Sequence, residues 1–302
     1  MAHCSKWHDA VRNAPARESV RTAAMTQRRD VQPETLDALA ADDPRAVRSR
    51  GDLRRIHRAM GTSGLLTRAL RSATSPRRPL RLLELGAGDG RQMLAVAARL
   101  ASAWPAVELT LLDRQPVVAA STLAAFARLG WAARPLVADV FDWVARPVST
   151  ASAESAAKAS AVSGTANADV SALRISGGTG NVGAGPGTDS HWDVIVATLF
   201  LHHFTDAPLS RLLAAAAGRC DVFLACEPRR GRPALLASYC VGLLGANVVT
   251  REDALLSVRA GFRGAELSAL WPGETASGWR LDERRAGPFS HRFLAVRQGL
   301  PR

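Results

Sequence analysis

Three glycines at two-residue spacing form the most informative chemical pattern in this chain. Residues 82–93 read LLELGAGDGRQM, so that Gly86, Gly88 and Gly90 follow a short apolar run and precede a helical pattern. Because glycine has no Cβ atom, a turn of this kind lets the backbone approach a bound molecule closely. The first question is therefore which phosphate or nucleoside, if any, this turn holds.

Two phosphate-binding motifs do not fit the turn. A P-loop requires Gly-x-x-x-x-Gly-Lys-Ser/Thr, and neither Lys6 nor Lys158, the only lysines, lies near these glycines. A dinucleotide turn requires a third glycine at the position that Arg91 occupies here. The spacing thus disfavours an oxidoreductase, and it leaves an S-adenosylmethionine site or an ordinary strand–helix turn.

Short apolar runs alternate with helical segments along most of the chain. The runs predicted as parallel strands are RLLEL (81–85), ELTLLD (108–113), ARPLVAD (133–139), WDVIVATL (192–199) and DVFLACE (221–227). The segments GFRGAELSALW (261–271) and SHRFLAVR (290–297) are predicted to close the sheet as an antiparallel hairpin. This order predicts an α/β fold, a Rossmann-like seven-stranded and mostly parallel sheet with helices on both faces.

Acidic residues lie at or near the ends of the first three predicted strands: Glu84, Asp113 and Asp139. The carboxyl ends of parallel strands meet at one edge of the sheet, where open α/β sheets bind their ligands. A carboxylate at the end of the second strand is the usual acceptor for ribose hydroxyls in such folds. The pattern therefore predicts a nucleoside site at this edge.

With these residues in order, the chain resembles the class I S-adenosylmethionine-dependent methyltransferases of the small-molecule type. Their first motif commonly reads Glu/Asp-x-Gly-x-Gly-x-Gly, and a Leu-His-His often follows the fourth strand, as in WDVIVATLFLHHF here. The resemblance implies S-adenosylmethionine as the cofactor. The cofactor-binding residues that it implies are Glu84 for the amino-acid end, the turn glycines Gly86, Gly88 and Gly90, Asp113 for the ribose, and Asp139 with the Val140 amide for the adenine.

Candidate catalytic residues must follow the later strands at the same edge. His202 and His203 follow the fourth strand, and histidine titrates near neutrality, so either could remove a proton from a phenol or enol. Glu227 ends the fifth strand and is a candidate for orienting the substrate. Helix capping or core packing explains a single histidine equally well, and pairing with Arg229 or Arg230 explains Glu227, so these alternatives stay open.

The absence of other motifs points to a small-molecule acceptor. The position after the fourth strand lacks the Asn/Asp-Pro-Pro-Tyr/Phe of exocyclic-amine methyltransferases, and no proline precedes any of the four cysteines. No carboxylate cluster suggests catalytic magnesium, so no metal is expected. The segment from Leu235 to Phe262 is apolar with a few polar residues, among them Tyr239, Asn247 and Arg251, and it is predicted to cover a hydrophobic, phenolic or polyketide-like substrate.

Composition adds weaker constraints. The net charge is +12, but it comes from arginines scattered along the chain, which argues against a nucleic-acid partner. The cysteines form no Cys-x-x-Cys pair, and no apolar stretch suits a membrane span, so a reducing, cytoplasmic location is expected. The oligomeric state is left open.

The chain divides into three predicted parts. Residues 1–45 are expected to be a flexible basic tail, residues 46–78 a helical cap, and residues 79–298 a methyltransferase domain. Residues 148–190 are rich in alanine, serine, glycine and threonine and are predicted to be a disordered insertion. Two other functions remain possible: an RNA methyltransferase that uses the arginine-rich N-terminus, and a non-catalytic S-adenosylmethionine-binding protein.

Overall fold

The computed structural model describes residues 28–74, 78–146, 191–273 and 278–299. The predicted insertion at 148–190, and most of the predicted tail, lie outside the described residues. Among the described helices, none has both the length and the apolar character needed to cross a membrane.

A seven-stranded sheet organises the fold. Its strands are β1 (Arg81–Leu85), β2 (Val107–Asp113), β3 (Trp131–Val137), β4 (Trp192–Thr198), β5 (Cys220–Pro228), β6 (Trp279–Ala286) and β7 (Ser290–Arg297). The spatial order is β3-β2-β1-β4-β5-β7-β6, in which β1 to β5 are parallel and β7 runs antiparallel to both of its neighbours. The predicted Rossmann-like, mostly parallel sheet is confirmed.

Ten helices surround the sheet within the described ranges. They are α1 (Thr35–Ala38), α2 (Pro44–Met60), α3 (Thr62–Thr74), α4 (Arg91–Leu100), α5 (Ala120–Arg128), α6 (Val140–Ala145), α7 (Asp206–Ala217), α8 (Arg232–Tyr239), α9 (Val248–Ala260) and α10 (Glu266–Leu270). Short 3-10 segments span Leu201–His203 and Val241–Leu244. Gly61, in the left-handed region at φ 67°, separates α2 from α3 at the predicted break.

Both faces of the sheet are buried, which explains why its central strands read as continuous apolar runs. On one face, Leu82, Val194 and Leu224 pack against α3, α4 and α5. On the other face, Leu83 and Ile195 pack against α6, α7 and α10. The alternation of side chains along each strand therefore builds two cores, and the helices on both faces are confirmed.

The predicted closing hairpin is half right. Its second arm is β7, but the first arm is β6, not the segment 261–271. That segment instead contains the short helix α10, whose Leu267 and Ser268 amides donate to the carboxylate of Glu283 at 3.0 and 2.6 Å. Strand β6 reads WRLDERRA and lies at the sheet edge. Because it carries exposed charged residues, its sequence lacks the apolar run that predicts the central strands.

The described part of the predicted tail needs a correction, because it packs against the domain. Arg29 donates to the carbonyl of Phe204 and to Asp206, both at 2.8 Å. Asp253 on α9 accepts from the amides of Thr35 and Leu36 at 2.8 and 2.9 Å, which caps α1. The segment from residue 29 to residue 37 is thereby fixed beside the carboxyl ends of the strands.

Candidate functional site

A cavity of about 1170 Å³ lies at the carboxyl ends of the central strands. Its walls are the turn after β1, the residues that follow β2, β3 and β4, and parts of α2, α3 and α4. The described N-terminal segment and Ser257 of α9 complete it. The cavity therefore lies where open α/β sheets bind their ligands.

The glycine turn has the backbone shape that its sequence predicts. Gly86, Gly88 and Gly90 all have positive φ, at 66°, 54° and 72°, a region that side chains with a Cβ rarely adopt. A Cβ on Gly86 would lie 2.2 Å from the ring of Phe200, whereas one on Gly88 would meet nothing within 4 Å. Gly86 and Gly88 line the cavity, and the open space above Gly88 is free for a ligand.

Gly90 has a different role from the other two glycines. It immediately precedes α4, and a Cβ there would lie 3.0 Å from Leu111 Cδ1 and 3.5 Å from Thr122 Cγ2. It is not among the described residues that line the cavity. Its contacts indicate that it allows close packing of α4 against β2 and α5, whereas the sequence placed it at the cofactor.

Asp113 holds the glycine turn against the end of β2. One of its oxygens accepts from the Gly88 amide at 2.8 Å, and the other accepts from the Gln115 amide at 2.9 Å. Because a carboxylate has about four acceptor positions, these two bonds leave capacity for hydroxyl donors from the cavity. Asp113 lines the cavity.

Asp139 and Val140 lie together at the start of α6. One Asp139 oxygen accepts from the Phe141 amide at 2.7 Å, which leaves the other oxygen available. Val140 is the first residue of α6, and the first amides of a helix have no partner within it. A free acceptor and a free donor therefore line the same wall of the cavity.

Glu84 is a buried carboxylate with an unpaired oxygen. Its side chain is almost completely buried, and within the described part of the chain Oε2 has no hydrogen-bond partner. Burial, followed by the charges of Asp113 and Asp89, raises the pKa of Glu84 well above its ordinary value. A cationic group bound in the cavity would stabilise the ionised form.

Three more buried polar atoms in the cavity wall lack a partner among the described residues. They are His57 Nδ1, Gln92 Nε2 and Thr198 Oγ1. Burial lowers the pKa of His57 to about 4, so this imidazole is neutral. Since nearly all buried polar groups in proteins are hydrogen-bonded, this set indicates a polar ligand or ordered water at this end of the cavity.

His202 lies between two carboxylates. Its Nδ1 is 2.8 Å from Glu227 Oε2, and its Nε2 is 3.3 Å from Glu34 Oε1. Burial on its own would lower the pKa of His202, but the hydrogen bonds and charges of these two carboxylates raise it to about 9. In this arrangement the ring is a cation at neutral pH.

Glu227 is completely buried, and the described cavity wall does not include it. Its carboxylate accepts from the backbone amides of Phe200 at 3.1 Å and Leu201 at 3.0 Å, in addition to the ring of His202. Glu227 therefore positions the loop after β4 without lining the cavity itself. This placement differs from the substrate contact that the sequence predicts for it.

His203 faces the cavity beside a second acidic residue. Its Nδ1 is 3.0 Å from Asp37 Oδ2, and its side chain is 20% exposed. Ligand atoms of Glu34, His202 and His203 all lie within 4.8 Å of one another, which is a possible metal-binding arrangement. No sequence motif pointed to Glu34 and Asp37, because they lie in the segment predicted to be a tail.

The segment predicted to cover the cavity contributes less than expected. Tyr239 is exposed, and Asn247 caps α9 by accepting from the Thr250 amide at 3.0 Å. Among the described residues, neither these two nor Arg251 lines the cavity. His291 is buried 2.7 Å from Glu283, away from the cavity wall. The cavity is covered mainly by residues 34–68 instead.

Replacing Glu227 with glutamine tests its anchoring role. Glu227→Gln should lower the free energy of unfolding by about 3 kcal/mol, because a buried hydrogen-bonded ion pair loses its negative partner. Urea denaturation measures this loss. The matched control is Glu252→Gln, an exposed position on α9, which should stay within about 0.5 kcal/mol of the parent. Equal urea midpoints for the two variants would contradict the anchoring role.

Comparison with known proteins identifies the fold. No family model and no curated protein sequence matches this chain. Among solved structures, the plantazolicin methyltransferase BpumL in complex with SAH aligns at a TM-score of 0.52 and 10% identity, over 95% of this chain and 99% of that one. The chain has a methyltransferase fold.

Two further structures share this methyltransferase fold. An O-methyltransferase family protein from Burkholderia thailandensis aligns at a TM-score of 0.50 and 12% identity, over 95% of this chain and 70% of its own. The mitomycin 7-O-methyltransferase MmcR aligns at a TM-score of 0.50 and 18% identity, over 91% and 66%. The fold predicted from the resemblance is therefore confirmed.

Proposed function

We propose that this chain is an S-adenosylmethionine-dependent methyltransferase that acts on a small molecule. The observation that carries the proposal is a single cavity that joins the glycine turn and its unpaired buried polar atoms to a pair of histidines. The ring of Phe200 connects the glycine turn with the histidines. It packs on Gly86, and its centroid lies 6.5 Å from the centroid of the His203 ring. A cofactor and an acceptor in this cavity would therefore be neighbours.

The wall near the glycine turn fits the cofactor. Glu84 offers an unpaired buried oxygen to the cationic amino group, and the open space at Gly88 admits the nucleoside. Asp113 has acceptor positions for the ribose hydroxyls. The free Asp139 oxygen and the Val140 amide match the donor and acceptor atoms of an adenine edge.

The cofactor supplies an electrophilic methyl group on a sulfonium, and transfer is an in-line displacement by the acceptor atom. The chain contributes by holding and orienting the two reactants, which accounts for much of the rate enhancement in such reactions. We place the nucleophilic atom of the acceptor at the His202–His203 end. Glu227 keeps these histidines in position through the loop after β4.

The acceptor that fits best is a phenolic or polyketide-like metabolite. A volume of about 1170 Å³ is larger than one cofactor-sized ligand needs, so it leaves space for a second molecule. Arginines from α2 to α4 line the cavity, namely Arg50, Arg54, Arg58, Arg68, Arg91 and Arg99, and they favour an acceptor with an acidic group. Two of the structural neighbours are named as methyltransferases of plantazolicin and mitomycin, which supports a small-molecule acceptor in general.

The direct test of the proposed function uses methyl-labelled S-adenosylmethionine and a metabolite extract. The expected result is one or more small acidic or phenolic compounds that gain a single labelled methyl group, together with stoichiometric S-adenosylhomocysteine. Cofactor binding without transfer to any extract would instead indicate a non-catalytic binding protein. Label recovered only in RNA would support the nucleic-acid alternative.

Asp113→Ala tests the cofactor site. We expect S-adenosylhomocysteine affinity to fall at least tenfold, because the change removes a ribose acceptor and the bond that holds the Gly88 amide. Isothermal calorimetry measures the affinity. Glu108→Ala is the matched control, since Glu108 is an exposed acid near the other end of β2. Equal losses in both variants would show that the effect is not local to the site.

Glu84 should link cofactor binding to proton release. Its raised pKa means that the free protein holds a proton at pH values where a normal glutamate is ionised, and a cationic ligand displaces that proton. Affinity should therefore rise with pH up to the raised pKa. Calorimetry in buffers of different ionisation enthalpy should detect proton release in the parent and none in Glu84→Gln.

The raised pKa of Glu84 should also affect the stability of the ligand-free protein. Because the folded state binds the Glu84 proton more tightly than the unfolded state, stability falls as pH rises from the ordinary glutamate pKa through the raised pKa. Glu84→Gln removes that loss, so its melting temperature should exceed that of the parent at neutral pH. A lower melting temperature for the variant would contradict the shift.

His203→Ala tests the acceptor end of the cavity. Turnover should fall at least tenfold, whereas S-adenosylhomocysteine affinity should change less than twofold, because His203 lies away from the glycine turn. Steady-state kinetics and calorimetry together separate the two effects. His191→Gln, an exposed histidine that precedes β4, is the control. Unchanged turnover in His203→Ala would remove His203 from the mechanism.

A further inference from the structure

We propose that Glu34, His202 and His203 bind a divalent transition-metal ion at the acceptor end of the cavity. Each of the three residues offers one ligand atom, and these atoms all lie within 4.8 Å of one another. All three residues line the cavity. This inference rests on the proposed methyl transfer only for the role of the ion, and binding of the ion is tested separately.

The orientation of both histidines favours metal binding. Nδ1 of His202 is 2.8 Å from Glu227, and Nδ1 of His203 is 3.0 Å from Asp37. Metal-binding histidines usually donate one ring N–H to a carboxylate in this way, which fixes the ring and presents the other nitrogen to the metal. With Nδ1 of each ring beside a carboxylate, Nε2 is the nitrogen left for an ion, and binding at His202 would displace the proton that its Nε2 shares with Glu34.

The spacing between the ligand atoms suits a small divalent ion. His202 Nε2 lies 3.3 Å from Glu34 Oε1. For a tetrahedral ion bound at about 2.0–2.1 Å, neighbouring ligand atoms are separated by about 3.3–3.4 Å. Ser257 donates to the same Glu34 oxygen at 2.5 Å and orients that carboxylate. Two of the three ligand atoms are therefore already at the separation that such an ion needs.

The charge around the cluster also favours a cation. Three carboxylates, from Glu34, Asp37 and Glu227, surround the two imidazoles, and Glu227 is completely buried. Arg114, which is half-exposed, lies 3.6 Å from Asp37. Buried carboxylates are stable when they are paired or when they support a metal. A divalent ion would bring two positive charges to this group, whereas the proton on His202 brings one.

The ligand set indicates which ions fit. Two imidazole nitrogens and one carboxylate oxygen suit zinc and the neighbouring first-row ions, whereas magnesium prefers oxygen ligands alone. Three protein ligands leave at least one coordination position open, as catalytic zinc sites do. An acceptor hydroxyl bound at that position would lose its proton more readily, which prepares the oxygen for methylation.

This ligand set explains why the sequence predicts no metal. His202 and His203 are adjacent, and Glu34 is 168 residues from His202. No short motif therefore contains the three ligands. The prediction of no metal rested on the lack of a carboxylate cluster of the kind that binds magnesium. Glu34 reaches the histidines only because the N-terminal segment packs beside them.

The test is a titration of chelator-treated, tag-free full-length protein with Co²⁺ and Zn²⁺. We expect one ion per chain, and the Co²⁺ form should show the visible absorption of a low-coordinate nitrogen–oxygen site. Glu34→Gln and His203→Gln should each lower the affinity by about 10- to 100-fold or more. Glu252→Gln and His191→Gln, two exposed positions outside the cavity, should leave the affinity unchanged.

Circular dichroism checks that each variant is folded, and His202 is left intact because its loss would strand the buried Glu227. The inference is overturned if the parent binds no ion, or if Glu34→Gln and His203→Gln together leave the affinity unchanged. Calorimetry with S-adenosylhomocysteine on the chelated protein separates this outcome from a failure of the proposed function. Retained heat of binding with no metal uptake would remove the metal site and leave the cofactor site standing.

Discussion

The candidate site depends on the hydrogen bonds between the buried carboxylate of Glu227 and the loop after β4. This carboxylate accepts hydrogen bonds from three backbone amides that follow β4, those of Phe200, Leu201 and His202, and from the ring of His202. Between the strand and this loop, Leu199 has a positive φ of 51°, which costs about 1–3 kcal/mol for a residue that is not glycine. The Glu227 bonds offset that strain. Phe200 and both histidines belong to the loop that Glu227 holds, and Glu34 and Asp37 contact the histidine rings from the N-terminal segment.

The two ends of the cavity are built by different means. At the glycine turn, the ligand-facing groups come from residues close in sequence, and Asp113 joins the turn to the neighbouring strand. At the histidine end, the groups come from parts of the chain far apart in sequence, because Glu34 and Asp37 contact residues that follow β4. The N-terminal segment is therefore part of the site, and Asp253 secures it by capping α1.

The sequence predicted the sheet and the tight glycine turn well, because both follow from local patterns. Apolar runs located β1 to β5, and the Gly86–Gly88 turn requires the positive φ angles that only glycine adopts easily. The errors concern long-range contacts. Strand β6 is polar because it lies at an edge of the sheet. Glu34 becomes a site residue only through its long-range contact with His202. Glu227 was predicted to orient the substrate, but its complete burial could not be inferred from its position at the end of a strand.

We propose that the cavity holds an adenosyl nucleoside with its amino-acid end against Glu84. The most direct measurement is a crystal structure of the protein grown with S-adenosylhomocysteine. Ligand density is expected in this cavity, with the ligand amino group within hydrogen-bonding distance of Glu84 Oε2, directly or through one water, and with the ribose hydroxyls at Asp113. A ligand bound elsewhere, or a cavity filled only with water at saturating ligand, would contradict this proposal.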